Sequence, residues 1–169
     1  MNGGAVASMC GCEIDSRDRD SVSDMIIWAV SSIDVGKIVA LTISTVTALK
    51  SGEITEMGDA TVGTMSGGTI VELNDGRVGL VTGGTISSMV GGEIENLNGG
   101  TVTAMSNGVI TEMNNGNIGT VSDSAHIVEM SGGSITSMTN GDIEIMNGGE
   151  IASMTGGVID AFNVGGTIN

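Results

Sequence analysis

The sequence predicts an all-β protein, an octapeptide-repeat β-helix or β-prism. Three observations lead there. A word of eight residues recurs along the chain, as in the run GGTISSMVGGEIENLNGGTVTAMS over residues 83–106. Its fourth and seventh positions are apolar almost without exception. Its second position is mostly Gly, with Asn, Ser, Thr, Asp or a further Gly just before it. A unit this short cannot fold alone, so its repetition signals a stack of copies.

With Gly83 as position 1, position 4 is Val or Ile from Val6 through Ile118. One inserted residue near 123–126 resets the count, which resumes at Ile127 and runs to Ile159. A second insertion near Val164 precedes Ile168. Position 7 holds every methionine except Met1; Leu, Ile, Val or Phe fill the rest, apart from Arg17. The expected core is therefore two stacked columns, represented by Ile86, Met89, Ile94, Leu97, Val102, Met105, Ile110 and Met113.

Each position has a physical task. Gly84, Gly92, Gly100 and Gly108 supply turns, because Gly tolerates positive φ. The residues between turns are rich in Thr, Val and Ile, which favour strands. Residues three apart on a straight strand face opposite sides. Burying both Ile and Met requires a bend, and the small residues at positions 5 and 6 suit one. The Gly density excludes a helix over the regular octads. An isolated octad would gain about 3–6 kcal/mol from two buried side chains. Backbone ordering costs about 1–2 kcal/mol per residue, so the octad needs neighbours.

Three packings satisfy this pattern on paper. A meander of hairpins would place Ile and Met on opposite faces and is the weakest. A single-chain β-solenoid would put two or three octads in each coil. An intertwined homotrimer would pass each octad from face to face of a prism. Gly at position 5 (Gly63, Gly79, Gly119) and Glu at position 6 (Glu56, Glu72, Glu112, Glu129) keep no constant spacing of 16 or 24. The octads therefore read as equivalent, as three-fold symmetry makes them. The homotrimer is the leading expectation and the single-chain solenoid its alternative. With strands about 4.8 Å apart, the trimer would be a needle of roughly 100 Å, and a solenoid of three octads per coil about a third of that.

The octads from GGAVASMC to GGVIDAFN resemble the intertwined triple-stranded β-helix of bacteriophage tail spikes and fibres, notably the cell-puncturing spike of contractile-tailed phages. The resemblance implies a trimeric, rigid, non-enzymatic part of a virion tail, with other tail proteins at one or both ends. It implies no cofactor.

Residues 1–34 are degenerate octads and 35–169 the regular shaft. In DSRDRDSVSDMIIWAV, Arg17 takes a core position, while Asp20 and Trp28 take Gly positions. Arg17, Asp18, Arg19, Asp20 and Trp28 form a candidate docking segment. The octad register continues through Val22, Met25, Val30 and Ile33, although Val22 to Ile33 also carry the 3–4 spacing of an amphipathic helix. His126, the one histidine, sits at the first insertion, where an outward bulge with a solvated imidazole is expected. Phe162 replaces Met and is expected to act as a wider plug.

Composition narrows the function further. The net charge of −15 disfavours nucleic acid and anionic membrane surfaces. No apolar run reaches the ~18 residues of a membrane span, and the start lacks the pattern of a secretory signal. Cys10 and Cys12 are too few for a disulfide framework and read as free thiols. One His, two Cys and no Tyr leave few catalytic groups, so the chain is expected not to be an enzyme. Calcium-roll words are absent. An ice-binding Thr grid at position 3 (Thr45, Thr61, Thr69, Thr85, Thr101) is interrupted by Glu53, Arg77 and Glu93. The other function classes are a flat-faced binding module and a secreted adhesin or filament subunit.

Overall fold

A computed structural model describes residues 5–10, 13–14, 20–26, 29–34 and 36–169, with side chains for 29–34 and 36–169. Its regular structure is β throughout, and all strand pairs are parallel. The chain is a β-solenoid of about nine coils. At ~4.8 Å per rung it extends roughly 45 Å.

Two ladders alternate along the chain. The first includes Gly36–Thr42, Glu53–Met57, Thr69–Leu73, Thr85–Met89 and Ser134–Met138. The second includes Ala29–Ile33, Thr45–Leu49, Thr61–Met65, Arg77–Val81, His126–Met130 and Asp142–Met146. The long strands Glu93–Met105 and Val109–Val121 each contribute one octad to both ladders. Each strand therefore pairs with the next but one, sixteen residues on, as Thr85 with Thr101 and Arg77 with Glu93. Two octads make one coil.

These ladder hydrogen bonds lie within one chain, the arrangement of the single-chain solenoid. An intertwined prism would direct the same N–H and C=O groups to other chains. The parallel pairing also rules out the meander, whose neighbours would be antiparallel.

Each octad bends where both core positions require it. The ladder pairs Thr85, Ile86, Ser88 and Met89 with Thr101, Val102, Ala104 and Met105, and passes over Ser87 and Thr103. That break at position 5 turns the second arm inward. Ile86, Met89, Ile94, Leu97, Val102, Met105, Ile110 and Met113 are consequently all fully buried. The core runs unbroken from Val30 to Ile151. Backbone bonds continue round the turns, as from Ser106 N–H to the Met89 carbonyl (2.9 Å) and from Val109 N–H to the Gly92 carbonyl (3.0 Å).

The turn glycine does more than accept a positive φ. At Gly108 (φ +85°) a Cβ would stand 2.7 Å from both the Gly92 carbonyl oxygen and Met89 Cε. The methionine of one coil reaches under the glycine of a later turn. The same contact recurs at Gly133, Gly149 and Gly157 with Met113, Met130 and Met138, so positions 2 and 7 form one packing unit at these turns.

Both insertions fall in turns. Across the first, Val109 pairs with His126, a step of seventeen, and the step returns to sixteen at His126 with Asp142. The extra residue is held in the segment Ser122–Ala125, where Asp123 adopts φ +50° and Ala125 takes a buried place. Across the second, Gly149 pairs with Gly166.

The helix alternative fails. Asp20–Ile26 and Ala29–Ile33 are strands in ladder register, so the octads continue there. Phe162 takes its place above Met146 but is half-exposed, so it does not plug the end.

Candidate functional site

With positions 4 and 7 inside, positions 3, 5 and 6 form the outer surface. The sixteen-residue coil sorts these positions onto two unlike faces. Over four successive rungs from Thr85 to Met138, no outward strand residue of the first ladder is charged. The second ladder at the same level carries Glu93, Glu95, Glu112, His126, Glu129, Asp142 and Glu144. The octads are equivalent in their core and different on their surface. The Thr column is also recast: Thr69, Thr85 and Thr101 are consecutive rungs of the first ladder, whereas Arg77 and Glu93 belong to the second.

Charges pair from coil to coil. Lys37 Nζ meets Glu53 Oε1 at 2.7 Å, and Lys50 Nζ meets Asp34 Oδ1 at 3.1 Å. Arg77 contacts two carboxylates of the next coil, Glu93 (3.8 Å) and Glu95. His126 does likewise, with Nδ1 3.3 Å from Asp142 and Nε2 3.0 Å from Glu144. His126 is thus correctly placed at the first insertion but is not on the bulge. It opens the following strand, partly buried, under an acidic pair. The extra residue lies before it because only the turn can absorb length without breaking the ladder.

Among the described residues, Glu53 titrates away from its ordinary value. Its hydrogen bond from Lys37 holds the carboxyl below the usual range; desolvation opposes this, and the Lys37 charge and the Thr55 hydroxyl assist. Amide ladders add polar links between turns. Asn96 donates to Glu112 (2.8 Å) and accepts from Asn114 (2.9 Å). Asn147 donates to Glu129 (2.8 Å) and accepts from Asn163 (2.6 Å).

The sequence reading missed these inter-coil pairs, yet a signal for them exists. Cation and acid stand 16 or 18 residues apart at Lys37/Glu53, Arg77/Glu93/Glu95 and His126/Asp142/Glu144. That spacing states the coil length.

The predicted turn residues Gly84, Gly92, Gly100 and Gly108 all have positive φ, between 73° and 87°. Of the candidate docking segment, Arg17, Asp18, Arg19 and Trp28 lie outside the described residues, as do Cys12 and the side chain of Cys10. Asp20 is described as backbone only, paired with Gly36. Among the described residues no group of three or more His, Cys, Asp or Glu could hold a metal ion. No helix there is long and apolar enough to cross a membrane. Comparison with family models, curated proteins and solved structures gives no match.

Proposed function

We propose that this chain is a rigid, non-enzymatic structural rod, a shaft element of a phage tail tip, spike or fibre that takes part in host attachment or penetration. The observation that carries the rod reading is the continuous apolar core from Val30 to Ile151, which couples every coil to its neighbours. In a stack of this kind stability is cooperative along the axis, because each repeat is held mainly by the adjacent ones. The virion assignment rests on the octapeptide resemblance. In it the rod assembles as a homotrimer and joins other tail proteins, without nucleic acid, cofactor or stable membrane anchor.

Two measurements test the reading. Solution mass and length are taken together by light scattering and small-angle scattering. A particle near three times the 16.9 kDa chain supports the trimeric shaft, and a monomer about 45 Å long removes the trimer. Mass spectrometry of purified particles from a host that carries this sequence tests the virion assignment. Absence from the particles sinks it.

A second reading is a single-chain solenoid that serves as a binding module or an adhesin. It is favoured by the intrachain ladders and by the unequal faces between Thr85 and Met146, where the first ladder is uncharged and the second acidic. A monomer in solution is its expected state.

A further inference from the structure

The geometry points to a proton-operated clamp at His126 that fastens the coils following the first insertion. His126 opens the strand His126–Met130, and its ring lies beneath Asp142 and Glu144 of the next rung. The Nδ1 atom is 3.3 Å from Asp142 Oδ2, and Nε2 is 3.0 Å from Glu144 Oε1. Both partners are acceptors when ionised. A neutral imidazole has one N–H and one lone pair, so it can donate to only one of them. Its other nitrogen then faces a carboxylate, lone pair against lone pair. The imidazolium donates from Nε2 to Glu144, turns a second N–H to the Asp142 side at ion-pair distance, and places its charge between two like charges on one strand.

No other cation among the described residues pairs with Asp142 or Glu144. On the preceding rung, His126 is in register with Val109, and the nearby Thr111 is uncharged; Thr111 donates to Glu93. Glu112 on that rung is engaged with Asn96. On His126's own strand, Glu129 accepts from Ser131 and Asn147. The titratable groups that face the ring are therefore Asp142 and Glu144.

The same protein contains the permanent version of this clamp. Arg77 stands at the equivalent position of an earlier strand, beneath Glu93 and Glu95, an acid-x-acid pair in the same register. Arg stays charged throughout the accessible pH range, whereas imidazole changes charge between roughly pH 5 and 8. One clamp is fixed and the other conditional. The conditional one follows the turn where the coil step changes from sixteen to seventeen.

Hydrogen exchange of the full chain, read by mass spectrometry, tests this. Comparing variants at the same pH cancels the intrinsic exchange rates. At about pH 5.5, wild type and His126→Arg should protect residues 126–146 equally; at about pH 8, wild type should exchange a few-fold faster there, the scale of two half-exposed ion pairs. His126→Gln should match wild type at the higher pH and exchange faster than it at the lower. Residues 77–97 should not respond in either variant. Arg77→His should transfer the pH dependence to 77–97. A wild-type to His126→Arg ratio that stays constant with pH overturns the proposal. If His126→Arg does not fold, His126→Gln decides: a constant difference from wild type, or none at any pH, overturns it equally.

Discussion

Replacing Gly108 by Ala tests the link between turn and core. Gly108 has φ +85°, and an added Cβ would meet the Gly92 carbonyl oxygen at 2.7 Å, the Gly91 carbonyl carbon at 2.8 Å and Met89 Cε at 2.7 Å. The left-handed backbone costs an L-residue about 1–2 kcal/mol. Moving the backbone away from the new methyl adds about 1–2 kcal/mol, the lower range for overpacking. The expected loss is therefore about 2–4 kcal/mol. Met89 is fully buried, and Met89→Ala should cost about 2–5 kcal/mol. The two losses should not add. Removing Met89 Cε makes room for part of the new methyl, so the double variant should recover about 0.5–1.5 kcal/mol relative to the sum. The remainder persists because the φ angle and the Gly92 contact are unchanged. Gly58→Ala is the control: its Cβ would find nothing closer than 3.6 Å and its φ is not positive, so the change should stay within about 0.5 kcal/mol. Urea unfolding followed by far-UV circular dichroism gives the midpoints and slopes. A Gly108→Ala protein as stable as wild type, or a cycle with no coupling, would refute the proposed packing unit.

Three further outcomes are expected. Met113→Asp places a carboxylate in a fully buried column and should cost more than about 4 kcal/mol or prevent folding, whereas Thr103→Ala, on an exposed side chain, should stay within about 0.5 kcal/mol; equal effects in thermal unfolding would contradict the assigned inside and outside. Ile43 is exposed at φ +50°, which a β-branched residue resists, so Ile43→Gly should stabilise by about 1 kcal/mol in the same assay, and a loss would show that the side chain is needed there. Glu53 titrates below its ordinary value in the folded state, so its contribution is present above the unfolded value and disappears as pH falls through the folded one. The stability gap between wild type and Glu53→Gln should accordingly be full at pH 7 and close below about pH 4.5; a gap that does not change with pH would remove Lys37 as the cause.

The periodicity alone carried the inside of the molecule. Ile86 and Met89 could be assigned to one core because their spacing and the small residues between them demanded a bend, and the bend lies at Ser87. Gly84 and Gly108 could be assigned to turns because few other residues accept their φ. The number of octads per coil was hidden because core positions repeat every eight residues and are blind to which ladder they occupy. Surface residues hold that information, but Gly63, Gly79 and Glu112 were poor markers, being free to vary in solvent. The pairs Arg77/Glu93 and His126/Asp142 were better ones, since a charge is constrained by its neighbour one coil away. Arg17 and Trp28 break the octad visibly, but a break shows only that the rule has been relaxed, not what replaces it.

The coil contains two octads, while the core is indifferent to which octad it receives. Loss or gain of a single octad would keep every Ile and Met column intact and leave the chain foldable. Beyond that point, however, each octad would fall on the opposite ladder: uncharged rungs would continue the acidic face, and Glu93 or Asp142 would lose the cation sixteen residues before it. Loss or gain of a whole coil would preserve both faces. Length in this molecule is therefore quantised twice, in steps of eight for folding and in steps of sixteen for surface identity, so a lineage that must keep its faces can change the rod only by even numbers of words.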